Sequence, residues 1–167
     1  WEMVLIAHEI IKKENPLKNN NKNDFINQYH QNCEKILNKN SWIAEDLQKM
    51  LDESRRYQIN KDFETWVNLH NPFIEVRNFM KELKRREIKT GIITTKGKLF
   101  AEKLLYQLNI FPEFIFGYES GSKVKIAAEI SKIYEVLGFL EDRRKTLIEV
   151  KQNSETSHIP CFLANWG

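Results

Sequence analysis

Short apolar runs alternate with helix-like segments after Pro72, and this alternation restricts the possible folds more than any other feature of the chain. Four runs are too short for helices and are rich in β-branched or aromatic residues, which predicts buried strands. The predicted strands are Lys89–Thr95, Phe114–Gly117, Gly138–Leu140 and Pro160–Ala164. Because a helical pattern separates each strand from the next, we predict an α/β fold with a Rossmann-like parallel sheet and helices on both faces.

The segments beside these strands have the spacing of amphipathic helices. The predicted helices are Pro72–Leu83, Gly97–Asn109, Val124–Leu137 and Arg143–Lys151. Pro72 suits a first helical turn, where the missing amide hydrogen costs nothing. The sequence therefore predicts a core domain over residues 72–167.

Residues 1–71 show helical periodicity and no strand pattern, apart from a polar Asn/Lys loop at 15–23. We predict a separate helical domain over 1–71, with a helix beginning at Asp24-Phe25 and Ser41 as the N-cap of the next. Its apolar and aromatic side chains recur at helical spacing, which favours a packed core over a ligand-binding site. The predicted core residues are Trp1, Leu5, Phe25, Tyr29, Trp42, Leu47 and Trp66.

Composition excludes several classes of function. Lys and Arg exceed Asp and Glu by only 26 − 23 = 3, and the signs alternate along most of the chain, so we expect no nucleic-acid partner. No apolar run approaches the roughly 20 residues that cross a bilayer, and no signal-peptide pattern opens the chain. Two distant cysteines predict no disulfide framework. We expect a cytoplasmic protein with no membrane contact, and the sequence leaves its oligomeric state open.

Polar and charged side chains follow three of the predicted strands. Thr94-Thr95-Lys96 ends the first strand, Lys123 lies between the second strand and its helix, and Glu141-Asp142 ends the third. Ligands of open parallel sheets bind at the carboxyl ends of the strands. Hydroxyls and helix-terminal amides suit a phosphate, and paired carboxylates suit Mg²⁺. Alternatively, the acidic pair stabilises the N-terminus of the following helix.

These segments resemble the motifs of the haloacid dehalogenase superfamily of phosphohydrolases over residues 72–167. Gly91–Lys96 is similar to its second motif, Gly121–Lys123 to its third, and Phe139–Arg143 to its fourth. The Glu-Asp form of the fourth motif is similar to that of the β-phosphoglucomutase and phosphoglycolate phosphatase branch. The resemblance implies that the helical residues 1–71 are a cap domain.

The resemblance also implies the chemistry. Glu141 and Asp142 would hold Mg²⁺, Lys123 would neutralise a transferring phosphate, and Thr94 would orient it together with Thr95 and Lys96. The expected substrate is a small phosphorylated molecule. Lys96 and Lys125 remain alternatives to Lys123 as the phosphate lysine, because Val124 stands where the family usually has proline.

The first motif of the family, Asp-x-Asp with the nucleophilic aspartate, does not occur in the sequence. We expect it on a strand upstream of Trp1, in the middle of the sheet, so that residues 1–167 by themselves lack phosphatase activity. The alternative is a non-catalytic scaffold of the same fold that binds a partner or a phosphorylated ligand. A nucleotide-binding domain is disfavoured because no glycine-rich phosphate loop is present.

Overall fold

The structure is a computed structural model that describes residues 2–12 and 28–165. The chain divides into two compact units, Trp1–Trp66 and Val67–Gly167. Two predicted core residues, Trp1 and Phe25, lie outside the described residues, as do the predicted loop at 15–23 and the helix start at Asp24. No helix within the described ranges has the length and apolar character needed to cross a membrane.

The described part of the first unit is helical. Its helices are α1 (Glu2–Ile11), α2 (Tyr29–Asn40) and α3 (Ala44–Lys61), and α4 (Phe63–Asn68) spans the boundary to the second unit. The buried cluster contains Leu5, Cys33, Ile36 and Leu47, against which Tyr29, Leu37 and Trp42 pack. Burial raises the pKa of the Cys33 thiol, with the Glu2 carboxylate adding to the effect, so Cys33 acts as a small core side chain. The assignment of this unit as a cap domain stays a prediction.

The prediction that Ser41 caps a helix N-terminus is wrong. Ser41 has φ 55° and ψ 38°, a left-handed conformation that ends α2, and its amide donates to the carbonyl of Asn38. The next helix, α3, begins only at Ala44, with Ile43 in the N-cap position. The connection between α2 and α3 is short, and Ser41 ends α2 instead of starting α3. Asp62 caps α4 instead, because its carboxylate accepts a hydrogen bond from the Thr65 amide at 3.0 Å.

Helices and short parallel strands alternate in the second unit. The elements are α5 (Ile74–Arg85), β1 (Gly91–Ile93), α6 (Lys98–Gln107), β2 (Phe114–Phe116), a 3₁₀ turn (Tyr118–Ser120), α7 (Lys123–Ser131), β3 (Phe139–Glu141), α8 (Arg144–Gln152) and β4 (Cys161–Leu163). All four predicted strands are present with three residues each: three are shorter than predicted, and β3 is shifted by one residue from the predicted Gly138–Leu140. Helix α5 begins two residues after Pro72, which therefore precedes the helix instead of lying in its first turn.

The four strands form two parallel pairs. Ile92 of β1 lies opposite Ile115 of β2, and Leu140 of β3 lies opposite Phe162 of β4. The predicted parallel pairing is thus confirmed, but within the described ranges the two pairs do not join into one sheet. A cavity of about 930 Å³ separates them, with Ile92 and Leu140 among its lining residues. The predicted single sheet is therefore not formed by these residues.

Helix α7 ends at Ser131 rather than at Leu137 as predicted. The ring of Tyr134 packs against Phe114 of β2, with 5.3 Å between the ring centroids. The ammonium of Lys89 lies 4.8 Å from the centroid of the same Tyr134 ring. These contacts place Tyr134 outside the helix and override the helical propensity of the segment that follows Ser131.

The core beside β3 and β4 is formed by α7, α8 and the loop that follows α8. Val150 and Ile159 are completely buried, and Ala127 of α7 is nearly so. Thr156 is also completely buried, and its hydroxyl donates a 2.7 Å hydrogen bond to the carbonyl of Val150. This bond satisfies a buried polar group and fixes the loop that leads into β4.

The start of the β1–β2 pair is fixed by Glu113. Its carboxylate accepts hydrogen bonds from the amide and the hydroxyl of Thr90, at 2.6 and 3.2 Å. In return, the Glu113 amide donates to the Thr90 carbonyl at 2.9 Å. The hydrogen bond from the Thr90 amide is the main reason why the pKa of Glu113 lies below its ordinary value of 4.5.

Glu113→Gln should lower the free energy of unfolding at pH 7 by about 1 kcal/mol or less, because the carboxylate is exposed. A lowered pKa in the folded state contributes stability above the pKa of the unfolded state, and this contribution disappears as the pH falls through the folded-state pKa. The difference from the wild type should therefore shrink below about pH 4. Urea unfolding from pH 3 to pH 7 measures this difference, with Glu149→Gln at an exposed position of α8 as the control. A difference that is constant with pH would contradict the assignment.

Candidate active site

The segment after β1 is tied to β2 by main-chain hydrogen bonds. The Thr94 amide donates to the Phe116 carbonyl at 2.9 Å, and the Tyr118 amide donates to the Lys96 carbonyl at 3.2 Å. The Thr94 hydroxyl accepts a 3.1 Å hydrogen bond from the Lys96 amide, which closes a tight turn at the carboxyl end of the strand. Thr94 and Lys96 are half-buried, and Thr95 is exposed.

The predicted anion site at the N-terminus of α6 already contains a carboxylate. The Lys98 amide, in the first turn of α6, donates to the Glu119 carboxylate at 2.9 Å. Gly117 makes this approach possible, because a Cβ at this position would collide with both the Glu119 carboxylate and the Lys98 amide nitrogen. One of the amides expected to bind phosphate is therefore satisfied by the chain itself, and the binding groups that remain at this end are those of Thr94, Thr95 and Lys96.

An ion pair joins two of the predicted site residues. The ammonium of Lys123, the first residue of α7, contacts the Glu141 carboxylate at the end of β3. The Glu141 side chain is only 5% exposed and that of Lys123 is 22% exposed. The second carboxylate oxygen of Glu141 accepts a 3.3 Å hydrogen bond from the Arg143 amide. An unpaired buried carboxylate lowers the stability of the folded state. The ion pair with Lys123 therefore offsets the free-energy cost of burying Glu141.

Asp142 differs from Glu141 in its surroundings. It is exposed, and no ion pair or side-chain hydrogen bond engages its carboxylate within the described part of the chain. Residues 2–12 and 28–165 contain no cluster of three or more potential metal-ligating side chains. Mg²⁺ commonly takes one or two carboxylates and fills its octahedron with water and phosphate oxygens. The exposed carboxylate of Asp142, next to Glu141 in the sequence, suits that donor set.

The three candidate lysines are in different environments. Lys123 is bound to Glu141, whereas Lys125 is exposed on α7, where its amide donates to the Ser122 side chain. Lys96 is half-buried beside β1. Lys123 thus contacts a carboxylate of the predicted metal pair.

The structure brings together Lys123 and Glu141 and places Asp142 next to them. Thr94 follows Ile93, and Ile93 and Glu141 both line the cavity between the two strand pairs. Glu141 thus lines the same cavity as the residue that precedes Thr94. Sequence reasoning missed the role of Glu119, although the adjacent carboxyl ends of β1 and β2 would have indicated that the loop after β2 meets the N-terminus of α6.

Glu119→Ala should lower the free energy of unfolding by about 1 kcal/mol, because it removes the acceptor of a helix-terminal amide. The midpoint of urea unfolding measures this loss, and Glu149→Ala, which removes a carboxylate within α8, should leave it nearly unchanged. If both variants unfold at the wild-type midpoint, Glu119 does not stabilise α6.

Comparison with known proteins identifies the family. The family model for haloacid dehalogenase-like hydrolases matches residues 2–149, which is most of the chain. Neither a curated protein nor a solved structure matches significantly. The match includes the segments that carry Thr94, Lys123 and the Glu141-Asp142 pair, and it extends over most of the helical first unit. The chain belongs to the haloacid dehalogenase-like hydrolase family.

Proposed function

We propose that the complete protein is a Mg²⁺-dependent phosphohydrolase that acts on a small phosphomonoester through an aspartyl-phosphate intermediate. The observation that carries the proposal is the Lys123–Glu141 ion pair beside the exposed Asp142. Family membership supports hydrolysis in general. An ammonium group next to carboxylates at the end of a parallel strand suits a phosphate and a divalent cation more specifically.

Each site residue has a role that follows from its position. The Lys123 ammonium would neutralise charge on the transferring oxygens while it keeps its contact with Glu141. The Thr94 hydroxyl and the Thr95 amide would orient the phosphate, with Lys96 adding positive charge on the same side. Asp142, assisted by Glu141, would hold Mg²⁺. Bound Mg²⁺ would screen the negative charges of the phosphate and of the attacking carboxylate.

The nucleophile must come from outside the 167 residues. None of the five aspartates belongs to an Asp-x-Asp sequence. We place the attacking aspartate on a further segment of the polypeptide, and we assign the helical first unit as the cap that excludes water and selects the substrate.

The second candidate is a non-catalytic protein of the same family that binds a phosphorylated ligand or a partner. The absence of Asp-x-Asp from the 167 residues favours it. The sequence of the full-length protein distinguishes the two candidates, because only the enzyme requires Asp-x-Asp.

Asp142→Asn in the full-length protein should raise the Mg²⁺ concentration that gives half-maximal activity by about ten-fold or more, because it removes the exposed carboxylate. Calorimetric titration with Mg²⁺ and hydrolysis of p-nitrophenyl phosphate both measure the effect. Glu149→Gln is the matched control and should leave both values unchanged. Unchanged Mg²⁺ affinity in folded Asp142→Asn would contradict the metal assignment.

Lys123→Ala in the full-length protein should reduce turnover by a factor of about 100 or more, because charge neutralisation at the transferring group is lost. It should also lower the free energy of unfolding by about 3 kcal/mol, since Glu141 is left buried without a partner. Turnover is therefore measured on protein shown to be folded by circular dichroism. Lys125→Ala, two residues along the same helix, is the control. Near-normal turnover in Lys123→Ala beside a strong loss in Lys96→Ala would identify Lys96 as the phosphate lysine.

Residues 1–167 alone should release no phosphate from p-nitrophenyl phosphate, with or without Mg²⁺, because binding groups alone cannot supply the covalent step. The full-length protein, assayed in parallel, should be active and Mg²⁺-dependent. Robust Mg²⁺-dependent turnover by the 167 residues would show that another carboxylate of this chain is the nucleophile.

A further inference from the structure

Three consecutive cations, Arg143, Arg144 and Lys145, directly follow Asp142, the proposed metal ligand. We call them the cationic triplet, and all three side chains are exposed. Arg143 is the N-cap residue of α8, and Arg144 and Lys145 are its first two helical residues. The short chain between Asp142 and Lys145 limits the distance between their Cα atoms to about 11 Å. The triplet therefore belongs to the immediate surroundings of the candidate site.

The triplet lies at the end of a helix where positive charge is disfavoured. Aligned backbone dipoles make a helix N-terminus partly positive, so acidic residues are favoured there and cations at the C-terminus. Helix α5 has this arrangement, with Glu75 in its first turn and Lys84 and Arg85 in its last. Helix α8 has no acidic residue in its first turn and no side-chain hydrogen bond at its N-cap. The start of α8 thus adds three side-chain charges to the positive end of the helix dipole.

No carboxylate within the described chain pairs with the triplet. Two exposed arginines of α5 show the contrast, because Arg85 and Arg86 contact Glu82 at 2.9 and 2.8 Å. Among residues 2–12 and 28–165, the side chains of the triplet form no ion pair and no hydrogen bond. Glu149 lies one turn after Lys145 without pairing with it, and pairs in which lysine precedes glutamate are the weaker orientation. The positive charge at the start of α8 is therefore left for a bound anion.

We propose that the cationic triplet is a subsite for a second phosphate group, so that the preferred ligand is a small molecule with two phosphates. This inference rests on the proposed phosphohydrolase function. The groups assigned to the transferring phosphate are Thr94, Thr95, Lys96 and Lys123, so the triplet is not needed to hold it. Guanidinium groups bind phosphate oxygens through paired hydrogen bonds, and a phosphate monoester carries about 1.5 to 2 negative charges at pH 7.

A second phosphate suits the triplet better than a carboxylate or a nucleic acid. A carboxylate carries one negative charge, whereas the triplet offers two guanidinium groups and one ammonium. Nucleic acids bind to basic side chains that extend along a face or a helix. The acidic Glu141-Asp142 pair directly precedes the triplet and would repel a polyanion that continued past it.

The test compares two ligands that resist hydrolysis, butane-1,4-bisphosphonate and butylphosphonate. Each is titrated calorimetrically into the full-length protein in the presence of Mg²⁺. The bisphosphonate should bind at least about ten-fold more tightly, because its second group gains charge-assisted hydrogen bonds. This ratio should fall between about 20 mM and about 300 mM salt, since exposed charges are screened. Equal affinities, binding of neither ligand, or a ratio that does not change with salt would overturn the proposal.

Variants locate the second phosphonate. The double variant Arg144→Gln/Lys145→Gln should weaken bisphosphonate binding about ten-fold and butylphosphonate binding less than about two-fold, because only the second group contacts the triplet. Lys103→Gln, which removes an exposed cation of α6, is the control and should leave both affinities unchanged. An equal loss for both ligands in the double variant, or the same loss in Lys103→Gln, would show general attraction of anions and overturn the subsite.

Unfolding without ligand distinguishes a binding role from a structural one. The double variant should unfold at the same or a higher urea concentration than the wild type, because its cations oppose the helix dipole. A lower midpoint would show that the triplet stabilises α8 and would contradict the assignment.

Hydrolysis of p-nitrophenyl phosphate, which has one phosphate, tests the proposed function separately. Wild-type activity together with equal affinities for the two phosphonates would refute the subsite alone. Absence of activity together with a clear preference for the bisphosphonate would refute the enzyme alone.

Discussion

The second unit is built on parallel strands of only three residues each. The geometry of its candidate site depends on the contacts that keep those strands in place. A pair of such short strands forms few hydrogen bonds, so contacts made by the connecting helices and loops must also stabilise it. Thr156 fixes the loop before β4, Glu113 fixes the start of β1, and Glu119 fixes the start of α6. The Glu113–Thr90 and Glu119–Lys98 contacts join residues 23 and 21 positions apart in the sequence, so tertiary hydrogen bonds help to position β1 and the start of α6.

The ion pair between Lys123 and Glu141 has two consequences at the site. It holds the first turn of α7 against the end of β3, so the position of the lysine side chain is fixed by the chain itself. It also distinguishes the two adjacent carboxylates, because Glu141 is buried and engaged while Asp142 is exposed. The two neighbouring carboxylates therefore differ: Glu141 engages Lys123, and Asp142 is the exposed carboxylate that we propose as the cation ligand.

Sequence periodicity was sufficient to predict the four strands, the parallel pairing and the helices between them, because alternating short apolar runs and amphipathic segments have few other solutions. It could not predict where helices stop. Ser41 was expected to start a helix but ends one in a left-handed conformation, and α7 stops at Ser131 because Tyr134 packs on Phe114. The end of α7 depends on a contact between residues distant in sequence, which local sequence does not encode.

The candidate site was predicted in part. Lys123 and Glu141 were expected at neighbouring strand ends, and the structure brings them into contact. The Glu119 cap and the division into two strand pairs were not expected, since both depend on which segments meet in space. The roles of Thr94, Lys123 and Asp142 in binding and catalysis remain proposals that the geometry supports.

We propose that the ends of β1 and β3 form one site for a phosphate and a divalent cation. Nuclear magnetic resonance of the full-length protein with Mn²⁺ in place of Mg²⁺, in the presence of inorganic phosphate, tests it most directly. A bound Mn²⁺ ion broadens nearby amide signals, and we predict broadening at Asp142 and Arg143 together with Thr94 and Thr95, which Asp142→Asn abolishes. Broadening confined to acidic residues elsewhere, or broadening at Asp142 that leaves Thr94 and Thr95 unaffected, would contradict the account.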